Sequence, residues 1–306
     1  MAGVLTGEVR AWLLDSDPSI RWQVMAHLTD APEDLVSAER SRVAREGWGS
    51  RLLALQAEDG NWGGGVYSPK WISTTYTLLL LRDLGVDPTD TDMARAIDLV
   101  REKVTMGDAQ WPFFSYRTET CITGMCLGLN SYFLEGDEDG ETVVEWLLGQ
   151  QLDDGGWNCA TTRGSTRSSF NTTILALEGL LAYETATGAS RTIAEARVRG
   201  HDYLLDRHLF RSLRSGEVVA ERWKLFSFPP RWHYDVLRGL VYLTDAGAQL
   251  DSRAEEALDL VRSKRRSDGR WPLQNPHPGL THFEMEEGAG KPSRWNTLRA
   301  LRVLAP

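Results

Sequence analysis

The side chains with the clearest potential for chemistry lie at or near the starts of predicted helices. Glu119, His233 and Asp235 can exchange protons, and Cys121 follows Glu119 in a Glu-x-Cys arrangement. A zinc site needs three protein ligands of nitrogen, sulfur or oxygen type, which Glu119, Cys121 and His233 could supply. Cys159 offers a further thiol, although small cysteines are also common packing residues. We therefore predict Glu119, His233 and Asp235 as catalytic residues, and Cys121 and Cys159 as candidate zinc ligands.

Basic residues recur at equivalent positions shortly before the same helix starts. The N-terminus of a helix exposes unpaired N–H groups and the positive end of the helix dipole, so it favours an anion. If these ends face a common cavity, the basic side chains would hold the anionic part of a ligand there. Each single arginine has the alternative of a local ion pair. The predicted substrate-binding residues are Arg117, Arg163, Arg167, Arg231 and Arg294, with Asn171, Tyr234 and Asn296 at or beside the helix starts.

A loop of the form Q-x-x-x-G-x-W recurs along the chain. Gln56–Trp62 and Gln151–Trp157 keep the whole pattern, Ser267–Trp271 keeps the Asp-Gly turn and the tryptophan, and Gly107–Trp111 is a degenerate copy. The Asp-Gly pair predicts a turn in which glycine takes a positive φ, and the tryptophan is expected to pack over a helix junction. A loop that returns with the same chemistry indicates a repeated supersecondary unit.

Two kinds of predicted helix alternate between these loops. One kind is apolar on nearly all sides, as a buried inner helix must be, and the other has a single apolar stripe, as an outer helix has. The inner helices have equivalent first-turn positions at Gln23, Ser73, Glu119, Asn171, His233 and Asn296. The outer helices span about 6–15, 34–57 (with a break expected at Gly47), 91–104, 140–151, 191–207 and 251–265.

Six helix pairs close most simply into a ring, because closure removes the exposed ends that an open array of repeats would need to cap. We therefore predict an all-α fold, a single (α/α)6 toroid of six helix hairpins that spans residues 1–306. The predicted repeats are roughly 1–30, 31–86, 87–135, 136–186, 187–247 and 248–306.

Composition limits the classes of partner and compartment. The 306 residues are 42% hydrophobic and 25% charged, which is typical of a globular protein with a sizeable core. The formal net charge of −9 argues against nucleic-acid binding, which requires a basic face. No apolar run reaches the roughly 18 residues of a membrane span, and no secretory leader is recognisable, so we expect a cytoplasmic protein. The sequence leaves open whether a protein partner or a second copy of the chain completes the site.

The Gln–Trp loops resemble the QW repeats of squalene and oxidosqualene cyclases, and the inner-helix starts are similar to those of protein prenyltransferase β subunits. The resemblance spans the chain at the level of repeats and rests on Gln56–Trp62 and Gln151–Trp157. It implies an α/α toroid with an isoprenoid-type substrate in its central cavity.

The chemistry of these families carries over only in part. Prenyltransferases bind catalytic zinc with Asp-x-Cys at one helix start and a histidine at the next. Glu119-x-Cys121 is similar to the first element, whereas Asn171 stands where the resemblance implies the histidine. The D-x-D-D motif of class II terpene cyclases is absent, because the Asp-x-Asp runs at 90–92 and 137–139 are followed by Met93 and Gly140 where the motif has its last aspartate.

We therefore predict a squalene cyclase- or prenyltransferase-like enzyme that acts in a central cavity on a small, partly apolar, anionic substrate such as a prenyl diphosphate. Its chemistry would be acid–base or zinc-assisted. Two alternatives stay open, because a fold does not fix a function: a hydrolase or lyase on the same barrel, and a non-catalytic small-molecule binding module.

The longest predicted connection between helices runs from Pro272 to Pro292. It carries two histidines and three glutamates, and loops of this length in a compact domain often act as lids or binding loops. We expect it to border the ligand cavity.

Overall fold

The fold is described from a computed structural model of the chain, which defines residues 5–188 and 190–305. Regular structure in these residues is mostly helical, with two small strand pairs: β1 (Thr105–Met106) with β2 (Trp111–Pro112), and β3 (Trp271–Pro272) with β4 (Pro292–Ser293). Within the same residues, no helix is long and apolar enough to cross a membrane. The α-helices are α1 (Gly7–Leu14), α2 (Pro18–Leu28), α3 (Glu33–Ser41), α4 (Gly47–Leu53), α5 (Thr74–Leu84), α6 (Thr91–Lys103), α7 (Thr120–Leu134), α8 (Glu138–Leu148), α9 (Phe170–Thr187), α10 (Arg191–Leu205), α11 (Val236–Asp245), α12 (Glu255–Ser263) and α13 (Arg294–Leu304).

More buried and more exposed helices alternate along the chain, as the apolar patterns predict. Helix α5 buries every residue from Thr74 to Leu81, whereas α6 buries only a stripe of four residues. The predicted outer helix at 34–57 is divided into α3 and α4. The reason is Gly47, which has a φ of +64° and packs so closely on Asp17 that a Cβ would lie 2.0 Å from its carboxylate oxygen.

The buried helices form a closed series of neighbours. Helix α5 packs on α7, α7 on α9, α9 on α11, and α11 on α13, and α13 packs in turn on α2 near the other end of the chain. Helix α2 meets α5 through two side chains: Trp22 Nε1 donates to the carbonyl of Leu84 at 2.9 Å, and Gln23 Nε2 donates to that of Asp83 at 3.0 Å. The first and last helical segments are therefore held together.

The recurring loops join neighbouring helices by the same hydrogen bonds. Gln151 Nε2 donates to the carbonyls of Gly155 (2.7 Å) and Ala196 of α10 (2.8 Å), and Gln56 makes the equivalent bonds to Gly60 and to Ala96 of α6. Three indole N–H groups donate to a carbonyl at the end of the preceding outer helix, and these belong to Trp62, Trp157 and Trp271. The degenerate copy differs, because Trp111 lies half-buried in β2 under the guanidinium of Arg117.

Candidate functional site

A cavity of about 750 Å³ opens between the C-terminal halves of the buried helices. We call this cavity the bowl. The anion site considered from the sequence is at the N-terminal ends of these helices, whereas most of the residues that line the bowl lie towards their C-terminal ends. Its lining includes Gln23, Arg82, Asp83, Ser131, Tyr132, Glu178, Leu181, Arg238, Tyr242, Asp245, Trp295, Arg299 and Arg302, with Arg40 and Glu135 at its edge.

The floor of the bowl is aromatic. Phe228 and Trp295 stack with ring centroids 4.2 Å apart and an interplanar angle of 10°, and Pro230 lies beside them. Both rings are buried. A flat apolar floor of this kind suits the hydrocarbon part of a ligand, and aromatic faces attract a positive charge placed over them.

A buried ion pair is built into the wall. Arg238 donates from Nε and Nη2 to the two carboxylate oxygens of Glu178 at 2.7 and 2.6 Å. Its Nη1 donates to the carbonyls of Arg231 and His233, so all three nitrogens of this guanidinium are used. Burial alone would raise the pKa of Glu178, but the charges of Arg238 and Arg82 outweigh burial and lower it. Glu178 is therefore held as a carboxylate.

Other charges of the bowl are less completely neutralised. Arg299 is only 8% exposed, and within the described part of the chain it donates one hydrogen bond, to the carbonyl of Ser227 at 2.9 Å. Burial lowers the pKa of Arg299. Arg302 pairs with Asp245, and burial nonetheless raises the pKa of Asp245. In the described lining five arginines face four acidic residues, which favours an anionic ligand.

None of the predicted catalytic residues is among the described residues that line the bowl. Glu119 is exposed at the start of α7. Asp235 is buried and caps α11, accepting hydrogen bonds from the backbone N–H groups of Arg238 (2.8 Å) and Ser227 (3.2 Å). Their catalytic roles therefore stay predictions.

His233 belongs to an aromatic cluster with Trp71, Trp232 and His277. Its ring lies 3.9 Å from that of Trp232 and 4.0 Å from that of His277, in stacked geometry on both sides. Burial, followed by nearby cations, lowers its pKa to about 4. His233 is therefore neutral near pH 7. Its catalytic role stays a prediction.

The predicted basic residues lie in separate surroundings and do not gather around one cavity. Arg117 stacks on Trp111, and Arg163 and Arg167 are exposed. Arg294 donates to the carbonyls of Trp12 and Asp15, which ties α13 to the first helical hairpin. Arg231 alone of the five is buried. Arg167 and Asn171 line a further cavity of about 850 Å³, whose described lining lacks the other four of these arginines, so an anion site shared by all five stays a prediction.

The remaining predicted binding residues hold neighbouring segments together. Asn171 Oδ1 accepts a hydrogen bond from the backbone N–H of Tyr234, and the Tyr234 hydroxyl donates to the carbonyl of Leu209 at 2.6 Å. Asn296 is buried and donates to the carbonyls of Phe226 and Pro272. These bonds fix the course of residues 226–235, which carry the floor of the bowl.

The structure brings Cys121 and Cys159 together but does not complete a zinc site. The backbone N–H of Cys121 donates to Cys159 Sγ at 3.0 Å, and the hydrogen bond between the two thiols lowers the pKa of Cys159 to about 7. Among the described residues, however, no group of three His, Cys, Asp or Glu side chains is placed to hold a metal. The residues present do not fit zinc, and we derive no step through it.

Sequence reasoning missed the charged residues of the bowl because they lie further along the buried helices than the equivalent helix-start positions. The sequence does carry a signal for them. Each interrupts an apolar run: Arg82 follows four leucines, Glu178 lies within Leu-Glu-Gly-Leu, Arg238 within Leu-Arg-Gly-Leu and Arg299 within Leu-Arg-Ala-Leu. Charged residues inside otherwise apolar helices are costly to bury unless paired, so they mark an interior site.

The connection from Pro272 to Pro292 is expected to border the ligand cavity, but it contributes no residue to the described lining of the bowl and lies instead against Trp71 and the start of α5. The indole N–H of Trp71 donates to the carbonyl of Pro278 at 2.9 Å, and His282 Nε2 lies 2.9 Å from the hydroxyl of Thr77. Ring contacts with His277 add to this attachment. Residues 274–291 therefore form a cover over the start of α5 and over residues 228–231.

Comparisons with known proteins bear on the fold alone. No protein-family model matches the chain, and neither does any curated protein. A glycosyl hydrolase family 88 protein from Bacteroides vulgatus is similar in structure, with a TM-score of 0.54, 9% identity, and coverage of 95% of this chain and 90% of that one.

Two further solved structures have lower similarity. A protein from Actinoplanes has a TM-score of 0.45 at 18% identity, covering 94% of this chain and 89% of that one. The type II terpene cyclase MstE from Scytonema has a TM-score of 0.41 at 15% identity, covering 94% and 87%. The likeness to the glycosyl hydrolase supports a toroid of α-helices and leaves the reaction open.

Proposed function

We propose that the chain is a terpenoid cyclase- or prenyltransferase-like enzyme, which binds a small, partly apolar anion such as a prenyl diphosphate in the bowl. The proposal rests on the observation that one cavity of about 750 Å³ combines an aromatic floor with a wall that carries several arginine guanidinium groups. Cavities of roughly 300–1,000 Å³ are usual for small-molecule sites. We take the paired helices as one (α/α)6 toroid with QW-type loops, so that the bowl is its central cavity.

In this proposal the residues of the bowl have different roles in binding and catalysis. Arg299 and Arg82 hold the anionic group, because guanidinium groups bind phosphate and carboxylate oxygens with charge-assisted hydrogen bonds. Asp245 lies at the solvent-exposed rim of the bowl, and it is the proton donor in this proposal because partial desolvation raises the pKa of its carboxyl group. Arg302, which pairs with Asp245, would stabilise the carboxylate left after proton transfer. Phe228 and Trp295 would face positive charge that develops on the apolar part.

The test combines binding with turnover. Farnesyl and geranylgeranyl diphosphate should raise the Tm, because a ligand of the folded state stabilises it by mass action, and pyrophosphate alone should do so less. Arg299→Gln should weaken binding about tenfold, the equivalent of about 1.4 kcal/mol. Asp245→Asn should keep binding and lower turnover by about 10²-fold or more. Arg191→Gln, at a fully exposed pair with Glu195, is the matched control and should change neither.

Other outcomes distinguish the alternatives. Binding without any product would indicate a small-molecule binding module. A product in which the diphosphate is lost but the carbon skeleton of the prenyl chain is unchanged would indicate a hydrolase or lyase. The carboxylates Asp83, Glu178 and Asp245 of the same cavity could then act as its acid–base groups. No Tm change with either prenyl diphosphate, in a protein that unfolds cooperatively, would reject the proposed substrate class.

A further inference from the structure

Arg231 is a buried cation without a hydrogen-bonded partner in the part of the chain that the structure describes. It is 9% exposed, and within the described residues its guanidinium makes no hydrogen bond or ion pair. Its one close contact of note is the face of the Trp71 ring, 5.3 Å from the guanidinium carbon to the ring centroid. Burial lowers the pKa of Arg231 to about 10, so it still carries its charge near pH 7. A charge in this position is costly unless something neutralises it.

The backbone at Arg231 adds to that cost. Its φ is +59°, in the left-handed region that residues with a side chain adopt only at a cost in conformational energy. Strained backbone and buried unpaired charge at one residue are features that the rest of a fold tolerates mainly at ligand sites. These two features indicate that Arg231 has a role beyond packing.

A small chamber of about 60 Å³ lies beside Arg231, on the far side of residues 228–231 from the bowl. A water molecule needs about 10–15 Å³ of cavity volume, so the chamber has room for about four to six non-hydrogen atoms, which is the size of propionate or butyrate. His277 also lines it, and His277 Nε2 is a second buried polar atom that lacks a partner among the described residues. Arg231 lies close enough to His277 to lower its pKa further.

The acidic residues in the chamber lining are engaged elsewhere. Glu286 accepts hydrogen bonds from the Ser293 hydroxyl at 2.6 Å and from the backbone N–H of Trp295 at 3.3 Å, at the start of α13. Glu284 is exposed and accepts from the hydroxyl of Thr281. Neither carboxylate is paired with Arg231. The carboxylate whose charge does act on Arg231, Asp83, pairs with Arg82 and lies outside the chamber lining, so the chamber keeps a positive charge without a hydrogen-bonded counter-ion among the described residues.

We propose that the chamber binds a short-chain monocarboxylate, with its carboxylate on the Arg231 guanidinium and the Nε2–H of His277. The planar fork of a guanidinium matches two carboxylate oxygens. The hydrocarbon tail packs on the apolar remainder of the lining, which includes Leu273, Phe283 and Met285. A phosphate would leave two further oxygens against these apolar side chains. This site is separate from the bowl and stands whether or not the bowl binds a prenyl diphosphate.

The experiment measures thermal unfolding of the full chain in propionate and in chloride at equal ionic strength. Propionate at about ten times its Kd should raise the Tm by about 2–4 °C above the chloride sample. Arg231→Gln should abolish this difference, whereas Arg117→Gln, which removes a half-exposed arginine stacked on Trp111, should keep it. Arg299→Gln should also keep it, which separates this site from the bowl.

Two further readouts keep the proposal falsifiable if Arg231→Gln folds poorly. In chloride alone, Arg231→Gln should be as stable as the parent chain or more so, because it deletes a buried charge that lacks a partner. Saturation-transfer NMR on the parent chain should detect bound propionate, and butyrate should compete with it. Equal Tm values in propionate and chloride, no saturation transfer, or a propionate shift retained by Arg231→Gln would each mean that the chamber holds water only and would overturn the proposal.

Discussion

Buried arginines differ sharply in how their charge is balanced. Arg238 uses all three guanidinium nitrogens on a carboxylate and two carbonyls, Arg299 makes one hydrogen bond, and Arg231 makes none with the described residues. Burying a charge costs several kcal/mol unless partners replace its hydration. The paired arginine therefore serves the fold, and the incompletely paired ones are the better candidates for ligand contacts.

The first prediction concerns the Glu178–Arg238 pair. Glu178→Gln should destabilise the chain by about 3 kcal/mol, because it leaves Arg238 buried without a counter-charge. Glu195→Gln removes the partner of Arg191 in an exposed pair and should cost less than about 0.5 kcal/mol. Urea unfolding of both variants gives the comparison. Equal costs would show that the buried pair is screened by solvent.

At the residue scale, sequence reasoning located helix starts more successfully than it located the cavity. Cys121 and Cys159 do meet, but the other proposed zinc ligands do not join them. Glu178 and Arg299 lie in mid-helix and carry no start signal, so only the interruption of an apolar run marks them. Which end of the helices a cavity occupies depends on how residues 226–235 cross the interior, and local sequence patterns do not encode that path.

Helix spacing depends on two glycines where α7 and α9 pack together. A Cβ at Gly179 would lie 2.5 Å from the carbonyl oxygen of Gly124, and one at Gly124 would lie 2.5 Å from that of Leu175. The backbone of a packed helix cannot move aside to relieve such a clash, whereas a flexible side chain can. The close contact of these helices, which line one side of the bowl, therefore requires glycine on both.

The second prediction tests this contact. Gly179→Ala should destabilise the chain by about 1–3 kcal/mol through overpacking, despite the higher helix propensity of alanine. Gly7→Ala is the matched control, because a Cβ at Gly7 meets nothing within 4 Å at the start of α1. It should be neutral or stabilising by up to about 1 kcal/mol. The denaturant midpoints of the two variants and the parent chain measure these effects. An increase in stability in Gly179→Ala would contradict the close approach of α7 and α9.

The third prediction concerns the cover formed by residues 274–291. Burial is the main cause that lowers the pKa of His233 to about 4 and of His277 to about 3, against 6.5 when unfolded. Between those values the unfolded chain binds protons that the folded chain does not, so stability falls as pH falls below 6.5.

A variant isolates this effect. His277→Phe keeps a flat ring against His233 but cannot titrate, so its stability should decline less steeply between pH 6.5 and 4 than that of the parent chain. Urea unfolding at a series of pH values measures the slopes. Identical slopes would mean that His277 does not contribute to the pH dependence.

At the scale of the whole molecule, periodicity predicted the alternation of buried and exposed helices, and the helices meet in a closed series. Gly47 predicts the break before α4. The sequence does not predict the small strands at Trp111 and Trp271, because two-residue pairings leave no alternating pattern. Arg294 and the contact of α13 with α2 hold the two ends of the chain together. Ring closure thus follows from the repeat, whereas the location of the cavity does not.

The location of ligand binding is the most direct test of this account. A benzophenone-bearing prenyl diphosphate, photolysed with the protein and mapped by mass spectrometry, should label the C-terminal halves of α9, α11 and α13 around the bowl. Geranylgeranyl diphosphate should compete, and Arg299→Gln should reduce labelling. Competed labels at 117–121 or 163–171, at the opposite ends of the buried helices, would contradict the assignment of the bowl.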